Sequence, residues 1–131
     1  MLALLAHLAA AARAEPEATP VQLGLRIEAA DPLAVGTTAH VAVFVRVPPG
    51  DDQPLMLTPA SEGDAVRVVR GRLSRADAKR NAQGELVFAV PVVVRSAGAA
   101  VLRVDALTYH CPRRCEPLRA SATRVLHAAA R

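Results

Sequence analysis

Residues 98–127, GAAVLRVDALTYHCPRRCEPLRASATRVLH, decide the fold, because they predict two long strands joined by a three-residue loop. If Cys111 and Cys115 face each other across this hairpin, one face is almost entirely apolar. That face carries Ala100, Leu102, Val104, Ala106 and Thr108 opposite Leu126, Arg124, Ala122, Ala120 and Leu118. A slip of one strand by one residue would move Arg119 and Ser121 onto it, so the pattern specifies the register.

The opposite face of the hairpin is mixed in character and is expected to be partly wet. It carries Arg103, Asp105, Leu107 and Tyr109 opposite Thr123, Ser121, Arg119 and Pro117. Cys111 and Cys115 belong to this second face because strand side chains alternate between faces. The two sulfurs are therefore predicted at the hairpin tip, outside the core, where another molecule can reach them.

The rest of the chain indicates more strands and no long helix. Short apolar or alternating stretches bounded by Gly, Pro and Asp recur at Val21–Ala29, Ala39–Val47, Pro54–Thr58, Ala65–Leu73 and Glu85–Val94. With the hairpin, they predict an all-β fold, an immunoglobulin-like antiparallel β-sandwich of about seven strands. A phase slip in Ala65–Leu73 predicts a bulge, and Pro91 predicts a sheet edge or bulge. Ser74 and Asp77 predict the start of a helical turn.

The composition excludes several classes of protein. A chain of 131 residues is the length of one domain, and it holds no apolar run of 18 residues or more that could span a membrane as an ordinary helix. Apolar residues make up 52% but aromatic residues only 2%, so valine and leucine have to fill the core. These facts argue against a multidomain enzyme, a coiled coil, a collagen and a typical integral membrane protein.

The amino terminus reads as a signal peptide over residues 1–14. It combines an 11-residue apolar run with a small-x-small cleavage pattern, although a basic start is missing and His7 interrupts the run. The alternative is a short amphipathic helix with an alanine-rich tail. Residues 15–20 are predicted to be a flexible lead-in and residues 21–131 a single β-sandwich domain. Export predicts a periplasmic or secreted protein, whose two close cysteines form a disulfide.

The cysteine pair leaves several functions open. As a structural staple the bond is inefficient, because it closes a loop of only five residues. Arg113 and Arg114 lie between the sulfurs and would stabilise a thiolate, which favours a labile, redox-active disulfide in which Cys111 and Cys115 are catalytic. The alternatives are a plain surface disulfide that pins the hairpin of a binding or accessory module, and a two-thiolate Cu(I) site.

Other chemistry finds little support. His110 points away from Cys111, and His127 is too far along its strand to join the cysteines, so no closed zinc site and no cofactor is expected. Neither a nucleophile elbow nor a glycine-rich phosphate loop is present. A series of arginines is interleaved with acidic residues and is interpreted as a solvated strand face, not a nucleic-acid surface: Arg67, Arg70, Arg72, Arg75 and Arg80.

The carboxy-terminal half resembles the amino-terminal periplasmic domain of the thiol:disulfide interchange reductase DsbD. The matching stretches are Val47-Pro48-Pro49-Gly50, Pro54-Leu55, Val90–Val94, Ser96-Ala97-Gly98, Leu107-Thr108-Tyr109-His110-Cys111 and Cys115-Glu116-Pro117. The resemblance implies an immunoglobulin-like fold and an exported protein partner, with electrons passing through a Cys111–Cys115 pair flanked by Tyr109 and Pro117. The chain departs from that family in its shorter cysteine spacing and in lacking the family's aromatic cap within Pro49–Pro54.

Overall fold

The structure, a computed structural model, describes residues 21–49 and 52–130. Their strands are β1 (Gly24–Glu28), β2 (Leu33–Ala34), β3 (Thr38–Arg46), β4 (Met56–Glu62), β5 (Val66–Val68), β6 (Leu73–Ser74), β7 (Ala78–Arg80), β8 (Leu86–Val94), β9 (Gly98–His110) and β10 (Glu116–Ala129). One 3₁₀ turn, Arg75–Asp77, joins β6 to β7. The all-β prediction is confirmed. The sequence pattern did not indicate the short strands β2 and β7.

The strands form two sheets that pack as a sandwich. The first sheet has the order β1-β3-β8-β5, with β7 also paired to β8, and the second has the order β2-β10-β9-β4-β6. Neighbouring strands are antiparallel except for the short β2–β10 contact. The long hairpin β9–β10 therefore forms the middle of the second sheet.

The core is built from alternating aliphatic side chains, as period-two patterning requires. In the first sheet β3 contributes Val41, Val43 and Val45, and β8 contributes Phe88 and alternate valines. Leu57, Leu102 and Val104 of the second sheet face them, and all of these side chains are fully buried. A valine-rich core thus takes the place of an aromatic one.

The single strand predicted over Ala65–Leu73 is wrong, because the chain changes sheets within it. Val66–Val68 pairs with β8 in the first sheet, whereas Leu73 pairs with Leu57 of β4 in the second. The phase slip that predicted a bulge marks this crossing, and Val69 is left 58% exposed.

Two prolines occupy strand positions that need no backbone donor. The predicted strand was expected to end at Pro59, but β4 continues through it. At Pro59 the neighbouring strand β6 is no longer paired with β4, so the missing N–H leaves no β6 partner without a hydrogen bond. Pro91 accepts a backbone hydrogen bond from Val69 on the side of β8 where neither β5 nor β7 is paired with it. Pro91 therefore lies between the segments of β8 that pair with β5 and with β7, at a position that resembles a sheet edge, as predicted.

The predicted turn at Ser74 is confirmed. The Ser74 backbone N–H donates to Asp77 Oδ2 at 2.8 Å, and Arg70 donates to both Asp77 oxygens at 3.0 and 3.2 Å. These contacts lower the pKa of Asp77, the backbone hydrogen bond from Ser74 more than the Arg70 side chain. The turn leads into β7 and through Asn81–Gly84 into β8, with Gly84 at φ +78°.

Two predictions about the chain's ends lie outside the described residues. These are the signal peptide over 1–14 and the lead-in over 15–20, which stay predictions. In the part that the structure describes, no helix has the length and apolar character needed to cross a membrane.

Candidate functional site

The predicted register of the long hairpin is confirmed residue by residue. Val104 lies opposite Ala122, Ala106 opposite Ala120, and the pairing continues to His110 opposite Glu116. On β9 the predicted core face is buried along its whole length, from Ala100 to Thr108. The cysteines therefore lie on the outer face at the tip, as predicted.

Cys111 and Cys115 are joined by a disulfide immediately beyond the last strand pair. Cys111 is half-buried and Cys115 is exposed. Arg113 and Arg114, in the loop between them, are both exposed. The bond is thus reachable from solvent, and two guanidinium groups are within the same five-residue loop.

A buried polar contact stabilises the base of the tip. Thr108 is 1% exposed, and its hydroxyl donates to the backbone carbonyl of Pro54 at 2.9 Å. This bond ties β9 to the segment that precedes β4, so a hydroxyl at an otherwise apolar position is satisfied. The tip beyond Thr108 rests on the strand ladder and this anchor.

Two predicted neighbours of the disulfide lie on its face, two residue pairs further from the tip. Tyr109 is 38% exposed and lies opposite Pro117, which is also exposed. The structure therefore brings together all six predicted site residues on one end of the second sheet. Their redox role stays a prediction.

A shallow groove that sequence reasoning missed runs along the same outer face. It encloses about 510 Å³ and crosses β4, β9 and β10, with Met56 and Leu107 on its apolar side and Arg119 on its polar side. Its lining was partly visible in the alternation that placed Leu107 and Arg119 on the mixed face. Residues on β4 could be added only once the strand order was known.

The polar floor of this groove is a small hydrogen-bonded cluster. The Ser121 hydroxyl donates to Asp105, and Arg103 Nη2 lies 3.3 Å from the same carboxylate. These contacts, the Ser121 hydrogen bond first and Arg103 second, hold the pKa of Asp105 below its ordinary value. Asp105 is therefore a stable anion at neutral pH and is already partnered.

The interpretation of the arginine series as one strand face is wrong. Arg70 binds Asp77, Arg75 donates to the Gln53 carbonyl at 2.8 and 3.0 Å, and Arg80 donates to the Gly84 carbonyl. Arg67 lies on β5 in the first sheet. Because the chain changes sheets between Arg67 and Leu73, these arginines lie on separate elements and do not form one strand face.

The first sheet carries a second cluster that the sequence did not indicate. The Arg26 guanidinium stacks on Phe44 with its carbon 4.1 Å from the ring centre, and Arg26 Nη2 lies 3.6 Å from Glu85. Glu85 is nearly buried and accepts a hydrogen bond from the Asn81 amide at 3.2 Å. These contacts close the β7–β8 turn against β1 and have a structural role.

The described residues bear on the metal-site hypotheses as well. In residues 21–49 and 52–130 no group of three or more His, Cys, Asp or Glu side chains could hold a metal ion. The two sulfurs are bonded to each other, so the Cu(I) hypothesis applies to the reduced pair and stays a prediction.

Comparison with known proteins identifies the fold. No protein-family model and no curated protein matches the chain. A solved structure of native alpha-2-macroglobulin from Escherichia coli, spanning domain MG7 to the C-terminus, is similar with a TM-score of 0.55 at 12% identity. The fold is an immunoglobulin-like β-sandwich.

The similarity covers 84% of this chain but only 17% of the macroglobulin structure, so the chain spans about a sixth of its length. A cohesin module from a Clostridium perfringens family 33 glycoside hydrolase is also similar, with a TM-score of 0.45 at 12% identity over 85% of this chain and 99% of that one. At this identity the likeness concerns the fold alone.

Proposed function

We propose that this protein is an exported immunoglobulin-like module that exchanges its Cys111–Cys115 disulfide with the thiols of a protein partner. The observation that supports this most is the location of the bond. It lies at an exposed hairpin tip, outside the core, where the fold has little need of it.

The structural need for the bond is small because the hairpin is already specified. Thirteen residue pairs connect β9 and β10, and the buried face of β9 belongs to the main core. In the chain-entropy relation a five-residue loop contributes about 2 kcal/mol, against roughly 4 kcal/mol for a loop of about 60 residues. A bond that contributes little to folding can be opened without loss of the domain.

Exchange proceeds by two thiolate displacements. A partner thiolate attacks one sulfur of the Cys111–Cys115 bond; a mixed disulfide forms, the original bond breaks and the other cysteine leaves as a thiolate. A second partner thiolate then attacks the partner's sulfur in that mixed disulfide and releases the remaining cysteine. The protein gains two electrons and two protons, and the partner dithiol becomes a disulfide.

The surroundings of the pair favour these steps. Arg113 and Arg114 carry positive charge beside the leaving thiolate, which lowers the cost of forming it. Tyr109 and Pro117 present exposed apolar surface on the same face, against which the partner segment that carries the thiol can pack.

The proposed setting is the periplasm or the extracellular space. A disulfide persists in oxidising compartments, which agrees with the predicted signal peptide. The resemblance to the reductase family stays a prediction, since neither similar structure belongs to that family.

A redox titration of the purified oxidised protein tests the proposal. We expect a potential above about −300 mV, because structural disulfides in secreted proteins are typically lower. A Cys111→Ser variant and a Cys115→Ser variant should each trap a mixed disulfide with a dithiol partner, while the double variant traps none. A potential well below that threshold, or no trapping by either single variant, would show that the bond is inert.

A second candidate is a non-enzymatic binding or accessory module whose disulfide only pins the hairpin. The groove beside Met56, Leu107 and Arg119 favours it, because a partner could bind there without touching the sulfurs. In that case the variant with both Cys111→Ser and Cys115→Ser retains partner binding. Loss of binding in that variant, with the domain still folded, would exclude this candidate.

A further inference from the structure

The outer edge of β10 is open along most of its length. Among the described residues, β2 pairs with β10 only at Ala128 and Ala129. Residues 116–127 of β10 are therefore paired with β9 on one side and with no described strand on the other. β1 lies close to this edge without pairing with it, and the Arg124 side chain donates to the Ile27 carbonyl at 2.9 Å. An open edge of this length presents a row of backbone donors and acceptors.

The direction of those backbone groups can be worked out from β2. The Ala129 carbonyl accepts a hydrogen bond from the Val35 N–H at 3.0 Å, so it points to the open side. Backbone groups alternate sides along a strand, and the odd-numbered residues of β10 therefore direct their N–H and C=O outward. Pro117 is at one of these outward positions, where its missing N–H breaks no bond to β9.

The apolar face of the second sheet is also less completely buried at this edge. On β9, Val104, Ala106 and Thr108 are fully buried, but the residues opposite them on β10 are half-buried. Those residues are Leu118, Ala120 and Ala122, which pack against the core with one side still open. A further strand beside β10 would extend this apolar face.

We propose that a second copy of this chain pairs with the edge, β10 antiparallel to β10, with Ala120 of each copy on the two-fold axis. Arg119 of one copy then lies opposite Ser121 of the other, and both have outward-pointing backbone groups that exchange hydrogen bonds. The same register places Glu116 of each copy opposite Arg124 of the other, so opposite charges meet at both ends.

Neighbouring registers lack this charge complementarity. A shift of two residues toward the hairpin tip puts Arg119 opposite its own copy, where like charges repel. A shift of two residues the other way puts Ser121 on the axis and moves Glu116 away from Arg124. Odd shifts would oppose outward and inward backbone groups and break the ladder. Of these registers, only the Ala120 register aligns outward backbone groups and also pairs the opposite charges. It lacks one backbone hydrogen bond at each end, because Pro117 lies opposite Thr123 of the other copy and has no N–H to donate.

Sedimentation velocity of the full oxidised chain over a concentration series tests the proposal. We expect a reversible monomer–dimer equilibrium. Glu116→Arg should weaken dimerisation roughly tenfold, because two favourable pairs become two repulsive ones. Arg124→Glu should do the same, and the variant that carries both changes should recover most of the affinity. Arg67→Glu, an equal charge change on the first sheet, is the matched control and should leave the dimer intact.

The charge-swap design separates a direct contact from a loss of fold. Arg124 also donates to the Ile27 carbonyl at 2.9 Å, so its single variant can disturb the contact between the sheets. Glu116 has an exposed side chain, and its variant provides an independent reading. A chain that stays monomeric at every concentration overturns the proposal. So does a dimer that Glu116→Arg leaves unchanged, or one that the double swap does not restore.

Discussion

Removing the Cys111–Cys115 bond should leave the protein folded and only modestly less stable. The change is the double variant Cys111→Ser with Cys115→Ser, compared with the oxidised chain. The bond lies beyond the last strand pair, and neither cysteine contributes to the buried core. Serine replaces each sulfur at sites that are half-buried or exposed, so no large cavity or stranded polar group results.

The expected magnitude follows from the length of the closed loop. The two cysteines are separated by four positions, and a loop of five residues corresponds to about 2 kcal/mol of lost unfolded-state entropy. The disulfide acts on the unfolded chain, because strand pairing already orders the folded hairpin. Its removal should therefore lower the free energy of unfolding by at most about 2 kcal/mol. For a domain of about 110 residues that is a drop in Tm of at most roughly 9 °C.

Urea unfolding followed by circular dichroism measures the free energy, and thermal unfolding measures Tm, with the reduced chain as a second reference. The m-value should increase slightly, because a cross-link restricts the surface that the unfolded chain exposes. A loss of more than about 4 kcal/mol, or a variant that fails to fold, would mean that the tip is a structural staple. The argument that the fold can spare the bond, and with it the case for exchange, would then be wrong.

Other perturbations test separate parts of the fold. Phe88→Ala empties a fully buried site and should cost about 3–5 kcal/mol in urea unfolding. Gly84→Ala should cost about 1 kcal/mol, because its φ of +78° is unfavourable for a residue with Cβ although no atom obstructs it. The lowered pKa of Asp77 stabilises the fold above its ordinary value of 3.8, and this stability is lost as pH falls through the lowered pKa. Asp77→Asn should therefore flatten the acid limb of a stability–pH curve; an unchanged slope would contradict the Ser74 and Arg70 contacts.

Sequence patterning predicted the second sheet better than the first. The β9–β10 hairpin combines a short loop with strict alternation, and only one register buries Leu102 and Val104 while keeping Arg119 outside. Local pattern and tertiary packing agree there, so the side of the sheet that carries the disulfide followed from the residues alone. Tyr109 could be placed beside the cysteines for the same reason.

Elements that depend on distant partners could not be predicted. The sequence pattern from Ala65 to Leu73 predicts one strand, but its first part pairs with β8 and its last residue pairs with β4. The Arg26 stack on Phe44 likewise depends on the pairing of β1 with β3, which no local period indicates. The groove required the strand order, because Met56 reaches Leu107 only when β4 lies beside β9.

The two proposals for β10 can fail separately, because exchange at the disulfide does not require a second copy. In the Ala120 register the paired segment runs from Glu116 to Arg124, and both cysteines lie beyond it. Arg124 is nine residues from Cys115, or about 30 Å along the strand at roughly 3.3 Å per residue. At concentrations where the chain is monomeric, Arg124→Glu should therefore leave the redox potential unchanged. In the dimer, Arg124 of one copy lies opposite Glu116 of the other, next to its Cys115, so there the variant can shift the potential. The double serine variant should keep the monomer–dimer equilibrium, because the strand ladder already holds Glu116 opposite His110. A potential of the monomer that moves with Arg124→Glu would show instead that this charge acts on the disulfide without a second copy.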